Sequence, residues 1–416
     1  MKKIHLTTFR SLVLAAALIA PSQSWAALSY WDIDGAIPGA GGPTPSGTWS
    51  TINTNWSPDL NGAAATGGWV PGDTAVFAAG TDAIGAYTVT VSGTQNASGI
   101  NVEEGTVTLV GGTVTTNAVA NASMAIIVSS GATLATDSSA RISVPAGAST
   151  INLNGGTLRS INPGNNGTFI DQDFEIILGS AGGTFSYAPL IATNLSIVQT
   201  LTKISGAGSL TKTGAGVLAI ASNPGNNTYT GGTIVNDGEL RMRGLGNPLP
   251  ITTDLTVNAP GIFNLNIVSQ QVGSLSGDGR VGLGNATLTV SGSSNTIYTG
   301  TIADTASIPG SGGTLLTGGK LIKAGTSTLT LTSPNTYTGG TTINGGTLVA
   351  NNVAGSATGT SNVTVNAGGT LAGRGTVTGA TTLNTGSTIS PGFLPGPGTI
   401  NTGTNTWGGG ANYTFE

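Results

Sequence analysis

The sequence predicts an all-β solenoid, in which short strands stack coil upon coil around one narrow core. Three observations lead to this prediction. Apolar and hydroxyl residues alternate in short runs, glycines separate these runs at recurring corners, and a longer unit occurs twice. No sustained apolar spacing of 3.6 residues accompanies them, so we expect few helices.

The alternating runs predict strands with two different faces. In each run the apolar residues occupy every second position, and threonine fills most of the positions between them. Because successive side chains of a strand point to opposite sides, one row faces a core and the other faces solvent. The runs lie at residues 87–91, 106–110, 286–290, 327–331 and 362–365.

The strands are separated by a recurring Gly-Gly-Thr corner. Glycine at a corner lets the backbone take a positive φ that would strain other residues. An apolar residue follows the corner in most copies, so the next strand begins at once. The copies lie at residues 111–113, 155–157, 312–314, 345–347 and 368–370.

The composition agrees with a repetitive all-β fold. The chain has 68 glycines and 18 prolines among 416 residues, but only 7% of its residues are charged. Disordered chains combine low hydrophobicity with high charge, whereas 38% of these residues are hydrophobic and the mean hydropathy is +0.18. Glycine corners joined to strands of Thr, Val, Leu and Ile account for both features.

The first 26 residues have the pattern of a secretory signal peptide. Lys2 and Lys3 precede a nine-residue apolar run at 12–20, and a small-residue site ends at Ala26. A membrane-spanning helix needs about 20 apolar residues, so we expect none in the mature chain. We therefore predict export through the secretion machinery.

Charge and missing residue types exclude several functions. After removal of residues 1–26, 10 basic residues stand against 17 acidic ones, so we expect no nucleic-acid partner. The only histidine, His5, leaves with that segment, and the chain has no cysteine. Triads and thiol nucleophiles are therefore excluded, and we expect no cofactor. Carboxylates from neighbouring coils can still meet in space, which keeps a polysaccharide lyase or hydrolase as the less favoured alternative.

The longer unit occurs at residues 209–240 and 320–348. Both copies read Leu-x-Lys-x-Gly, then Asn-x-Tyr-Thr-Gly-Gly-Thr, then Gly-x-Leu. Lys212 and Lys323 occupy the same position of the unit. We interpret them as structural, with the aliphatic stem on apolar surface and the ammonium in solvent. Self-similarity of this kind indicates stacked architecture.

This unit resembles the autotransporter-associated β-strand repeat of bacterial autotransporter passengers. The resemblance implies a right-handed parallel β-helix of the pectin-lyase-like superfold, exported and displayed at the cell surface. We accordingly divide the chain into a signal peptide at 1–26, an aromatic-rich cap at 27–85 and a β-helix at 86–416.

The cap segment contains four of the five tryptophans of the mature chain. Bulky aromatic side chains over the first coil would cover its open strand edge. A second hypothesis is that these indoles stack on sugar rings as a ligand-binding site. The four residues are Trp31, Trp49, Trp56 and Trp69.

Two acidic segments are candidate metal sites. Asp171, Asp173 and Glu175 alternate along a strand-like segment and could hold a hard cation through oxygen ligands. We favour a solvated outer face that resists edge pairing. Asp32-Ile-Asp34-Gly35 has a faint likeness to a calcium loop, and we favour a capped turn anchored by Trp31.

The sequence thus favours a non-enzymatic structural or adhesive protein of the cell surface or its surroundings. We expect its partners to be other cells or a surface polysaccharide. The alternative is a carbohydrate-binding surface protein that uses the tryptophan cluster.

Overall fold

The computed structural model describes residues 26–116, 123–137, 139–143, 149–161, 174–187, 203–222, 225–306, 316–392 and 397–414. Within these ranges the chain is all β, and it contains no helix that is long and apolar enough to cross a membrane. The strands stack in parallel as a β-solenoid, which confirms the predicted architecture. The predicted signal peptide lies outside the described residues, apart from Ala26.

The first coils contain the segment that the sequence predicts as a separate cap. Their strands are β1 (Leu28–Trp31), β2 (Gly47–Trp49), β3 (Trp56–Ser57), β4 (Thr74–Phe77), β5 (Ala86–Asn96), β6 (Gly99–Val102) and β7 (Thr106–Thr115). Strand β2 pairs in parallel with β5, and β4 pairs in parallel with β6. The sheets therefore continue through residue 85, and the cap is the first part of the solenoid. Strands β1 and β3 form an antiparallel pair at its edge.

The middle of the chain extends these sheets and begins a third. Its first strands are β8 (Ala125–Val128), β9 (Thr133–Asp137), β10 (Arg141–Ser143), β11 (Ser149–Leu153), β12 (Gly156–Ile161), β13 (Phe174–Leu178), β14 (Gly183–Tyr187), β15 (Lys203–Gly206) and β16 (Leu210–Thr213). The next are β17 (Val217–Ser222), β18 (Thr233–Val235), β19 (Glu239–Gly244), β20 (Asp254–Val257), β21 (Ile262–Asn264), β22 (Gln270–Val272) and β23 (Ser274–Ser276).

The last part of the chain completes the third sheet and continues in further sheets. Its first strands are β24 (Arg280–Gly282), β25 (Thr287–Val290), β26 (Thr296–Tyr298), β27 (Thr301–Ala303), β28 (Lys320–Lys323), β29 (Thr328–Leu331), β30 (Thr341–Ile343) and β31 (Gly346–Ala350). The final ones are β32 (Val363–Val365), β33 (Gly369–Gly373), β34 (Thr376–Val377), β35 (Thr381–Leu383), β36 (Thr388–Pro391), β37 (Asn401–Thr402), β38 (Asn405–Trp407) and β39 (Asn412–Tyr413).

These strands form six sheets that run along the solenoid. Sheet 1 has the order β15-β13-β11-β8-β6-β4-β1-β3, and sheet 2 the order β2-β5-β7-β9-β12-β14-β16-β18-β20-β23, with β10 beside β7. Sheet 3 is β17-β19-β21-β24-β27, and sheet 4 is β22-β25-β28-β30-β32-β35-β38. Sheet 5 is β26-β29-β31-β33-β36-β39, and sheet 6 is β34-β37.

The predicted alternation sets which side chains stack. In sheet 2 the buried residues Val107, Leu134 and Leu158 lie on one another in register, while threonines on the same strands face outward. Parallel in-register pairing thus stacks residues of the same kind on one another along the solenoid axis. Each buried aliphatic side chain contributes about 1.5–3 kcal/mol relative to an exposed one.

The corner glycines have the predicted backbone conformation. Gly111, Gly155 and Gly368 have φ values of 89°, 82° and 79°. A β-carbon on Gly111 would lie 2.9 Å from the carbonyl oxygen of Val91 on the neighbouring coil, so glycine is also needed for close approach. The corner at 312–314 lies outside the described residues.

A buried aspartate holds the first turn of the chain. The Oδ1 atom of Asp32 accepts hydrogen bonds from the backbone N–H groups of Asp34 (3.1 Å) and Gly35 (3.3 Å). Asp32 is 0% exposed, and its Oδ2 atom has no hydrogen-bond partner. This geometry is the capped turn beside Trp31 that the sequence predicts.

Burial of Asp32 makes the stability of this turn depend on pH. Desolvation raises the pKa of Asp32 to about 6, a carboxylate contact from Asp34 adds to this, and the backbone N–H groups of Asp34 and Gly35 oppose it. The pKa of the Asp32 carboxyl is higher in the folded state than in the unfolded state. The protonated carboxyl therefore stabilises the fold fully below about pH 4, and this stabilisation is lost as the pH rises through 6. The free energy of unfolding should fall by on the order of 2 kcal/mol across this window.

We expect Asp32→Asn to remove this fall, since an amide keeps the acceptor for both N–H groups without a charge. The measurement is urea unfolding followed by tryptophan fluorescence at pH 4 to 7. Asp137→Asn, in an exposed turn, is the control and should keep the wild-type profile. A D32N profile parallel to that of the wild type contradicts the assignment.

Candidate functional site

The asparagine of each repeat joins three successive coils. Asn335 Oδ1 accepts from the N–H of Ile302 (2.6 Å) on the coil before, and its Nδ2 donates to the carbonyl of Ala357 (2.6 Å) on the coil after. Asn227 bonds in the same way to Ile204 N–H (2.8 Å) and the Pro248 carbonyl (2.6 Å). Both amides are buried. Each one bonds a backbone N–H and a backbone carbonyl that would otherwise lack a partner at a corner between strands.

The tyrosine and second threonine of each repeat form a buried hydroxyl pair. The hydroxyl oxygens of Tyr229 and Thr233 are 2.6 Å apart, and those of Tyr337 and Thr341 are 2.5 Å apart. Thr341 also donates to the carbonyl of Thr358 on the next coil (3.0 Å). Burial raises the pKa of both tyrosines above its usual range. These hydroxyls therefore serve as neutral hydrogen-bonding groups inside the coil.

The repeat lysines are buried, which contradicts the prediction of a solvent-exposed ammonium. Lys212 stacks in register between Phe185 and Val235, and Lys323 between Val290 and Ile343. Both lysines are 0% exposed. Their inward direction follows from the alternation itself, because each lies two residues after a buried leucine of the same strand.

Each lysine ammonium binds carbonyl oxygens at a corner. Lys212 Nζ donates to the carbonyls of Thr213 (2.7 Å), Gly214 (2.6 Å) and Asp237 (3.1 Å). Lys323 Nζ donates to those of Ala324 (2.5 Å) and Gly345 (3.3 Å). The ammonium thus satisfies carbonyls of its own corner and of the next coil.

The glycine of the Gly-x-Leu part of the repeat makes room for this ammonium. Gly238 and Gly346 have φ values of 64° and 63°. A β-carbon at either position would lie 2.8 Å from the Nζ atom of Lys212 or Lys323, respectively. The lysine and the glycine of the repeat therefore depend on one another, although they lie 26 positions apart in the first copy and 23 in the second.

The first repeat carries additional buried charges. Arg241 Nε donates to Glu239 Oε1 (2.5 Å), and Asn264 Nδ2 donates to the same oxygen (2.8 Å). Both charged residues are at most 2% exposed. The second repeat has Thr347 and Val349 at the corresponding positions of β31. The ion pair is therefore an addition in one copy, while the asparagine, tyrosine and lysine contacts are common to both.

Burial lowers the pKa of both repeat lysines. Desolvation lowers the pKa of Lys212 to about 7, and the carboxylates of Asp237 and Glu239 oppose this shift. Desolvation lowers the pKa of Lys323 to about 8. A buried charge is costly even when its hydrogen bonds are satisfied, so the ammonium form is destabilised in the folded state.

The four tryptophans predicted as a speculative ligand site pack on one another. Their exposed fractions lie between 0% and 3%. Ring centroids are 4.9 Å apart for Trp49–Trp69 and 5.1 Å for Trp31–Trp56, in edge-to-face contact. As folded, the cluster presents no indole face on which a sugar could stack, and its geometry is that of an aromatic core. The sugar-binding role of Trp31, Trp49, Trp56 and Trp69 stays a prediction.

The predicted acidic metal site is only partly described. Asp171 and Asp173 lie outside the described residues. Glu175 is on the outer side of β13, where its carboxylate pairs with Lys203 Nζ (2.8 Å) and accepts from Ser205 Oγ (2.9 Å). The hydrogen bond from Lys203 lowers the pKa of Glu175. Among the described residues, no group of three or more His, Cys, Asp or Glu side chains is placed to hold a metal ion.

The buried contacts define a class of protein, a parallel β-solenoid whose coils are joined by a repeated set of polar side chains. The profile described as passenger-associated-transport-repeat matches the chain at residues 210–242 and 321–350, the two copies found in the sequence. The chain therefore contains two copies of this passenger-associated repeat, which confirms the resemblance found in the sequence.

One curated relative extends this comparison. The adhesin BmaC autotransporter of Brucella suis biovar 1 (strain 1330) is 38% identical over 157 residues, which cover 36% of this chain and 4% of that protein. The chain thus matches a small part of that relative's length. No solved structure matches the chain.

We expect Asn335→Ala to destabilise the coil before Asn335 and the coil after it, where its partners Ile302 and Ala357 lie. The change leaves the buried N–H of Ile302 and the carbonyl of Ala357 without partners, at a cost of about 1–3 kcal/mol each. The measurement is hydrogen exchange of peptides that contain these groups. The control is Asn366→Ala, which removes only exposed side-chain bonds to Asn344 and Asn384. Equal exchange in both variants contradicts the role of Asn335.

Stability should rise between pH 7 and pH 9.5 because of Lys212. An unfolded lysine keeps its proton up to about pH 10.4, whereas the folded Lys212 loses it near pH 7. The unfolded state thus binds more protons in this window, and the free energy of unfolding increases by on the order of 3 kcal/mol.

Guanidinium unfolding at several pH values measures this slope. We expect Lys212→Met to reduce it, while Lys203→Met, which changes the exposed partner of Glu175, should keep it. Identical slopes for wild type and K212M contradict the assignment of a shifted lysine.

Proposed function

We propose that this chain is a non-enzymatic adhesive segment of an exported cell-surface protein. The observation that carries the proposal is the pair of passenger-associated-transport repeats, together with the relative named as an adhesin autotransporter. The amino-terminal segment with the pattern of a signal peptide supports export and a location at the cell surface or outside the cell.

The contacts of the repeat support a structural role for its recurring residues. The asparagine, tyrosine and lysine side chains of each copy turn inward and bond to backbone carbonyls, N–H groups or a neighbouring hydroxyl. They thereby join successive coils, while the outer faces of the solenoid remain available for contact. In this proposal, adhesion depends on that exterior, and its targets are other cells or a surface polysaccharide.

Retention of coated beads tests the adhesive role. Beads that carry the mature chain should remain on bacterial cells or polysaccharide-coated glass under flow, and beads that carry the denatured chain should wash away. The same preparation should release no reducing ends from the polysaccharide. Equal retention of the two bead types, or steady depolymerisation, contradicts the proposal.

A further inference from the structure

The last fifth or so of the chain, residues 324–414, has an almost uncharged surface. Residues 324–414 contain one charged residue, Arg374, whereas residues 26–306 contain sixteen acidic and seven basic ones. Arg374 follows β33 at a corner. The solenoid is thus acidic along most of its length and neutral along its last coils. A neutral surface favours an uncharged partner. It gives a charged partner no electrostatic attraction, and it does not repel an uncharged one.

Three columns of polar side chains run along this neutral part. In sheet 4, Thr342, Thr364 and Thr382 are partners in register. At the corner that follows, Asn366 Nδ2 donates to Asn344 Oδ1 (2.7 Å), and Asn384 Nδ2 donates to Asn366 Oδ1 (2.6 Å). The side-chain amides therefore form a continuous chain parallel to the solenoid axis.

The third column lies across the corner in sheet 5. There Thr347, Thr370 and Thr388 are partners in register on the outer side of three consecutive strands. Each coil thus repeats one set of two threonines and one asparagine. We call the surface formed by these nine residues the neutral strip. Its threonines are half-buried, and their hydroxyls bond to no protein group within the described part of the chain.

A shallow groove extends the neutral strip at its amino-terminal end. Strand β29 continues the third column with Thr328, which pairs in register with Thr347. The groove measures about 300 Å³ and is lined by Asn295, Thr296, Ile297, Thr328 and Thr330. Ile297 is 59% exposed. Hydroxyls, amides and one apolar side chain are the groups that contact the hydroxyl and C–H surfaces of a sugar.

We propose that the neutral strip binds a neutral polysaccharide chain that lies along the solenoid axis. The coils repeat every 4.7–4.9 Å, so a chain that lies along the axis would meet an equivalent set of threonine and asparagine at each coil. This inference rests on the proposed adhesive function. It assigns the neutral strip as the adhesive surface and a neutral polysaccharide as the partner. A matching column in sheet 2, with Thr133, Thr157 and Thr184, has Arg159 beside it and serves as a comparison.

Binding to immobilised cellulose, mannan and dextran, with anionic alginate alongside, tests the inference. We expect the mature chain to bind at least one neutral polymer and to bind alginate more weakly. The variant Thr364→Glu/Thr370→Glu should bind about tenfold more weakly, as expected for the loss of one or two hydrogen bonds. The control Thr157→Glu/Thr184→Glu places the same charges on sheet 2 and should bind like the wild type. Circular dichroism confirms that both variants fold.

Several results would overturn the inference. These are equal weakening by both variants, alginate binding as strong as neutral binding, and no binding to any neutral polymer. Sedimentation velocity supplies another, since a dimer that only Thr364→Glu/Thr370→Glu disrupts would make a second copy of the chain the occupant. If coated beads adhere to cells while no neutral polymer binds, this inference fails and the adhesive function stands.

Discussion

Backbone pairing between neighbouring coils is the constraint on which this structure depends. A parallel coil has no partner for its N–H and C=O groups except the coils before and after it, so every residue must lie in register with its equivalents. Register then sorts the sequence into columns. Val107, Leu134 and Leu158 form an apolar column inside, and Thr106, Thr133 and Thr157 form a hydroxyl column outside.

Corners are where this pairing is interrupted, and the repeat supplies side chains in its place. Asn335 substitutes for a strand at one corner, and Lys323 binds carbonyls at another. Gly346 leaves the space that the ammonium occupies. Buried polar groups stabilise a fold only when they are fully bonded. Both copies of the repeat therefore contain the same connected set of contacts, although β19 has a buried ion pair that β31 lacks.

Much of the fold could be predicted because alternation and corner glycines are local signals. The direction of Lys212 is the exception, because its charge favours solvent whereas its position, two residues from Leu210 on one face of a strand, places it in the core. Bulky aromatic residues also obscure the strands before residue 85, of which β2 and β4 pair with β5 and β6 of the later coils. The contacts of Asn227 and Lys212 join residues on different coils, and sequence spacing alone does not contain that information. Their recurrence at equal positions of both copies was the one available signal.

The asparagine contact also limits the length of chain that can be inserted into such a solenoid. Asn335 bonds to Ile302 on the coil before it and to Ala357 on the coil after it. An insertion shorter than a complete coil would shift these two partners relative to Asn335. Between β27 and β28, Asp304 accepts hydrogen bonds from the N–H of Gly319 and from the hydroxyl of Thr338 on the next coil, and so fixes the two strands relative to one another. Solenoids of this kind can therefore lengthen by duplication of complete coils without any change in their internal spacing.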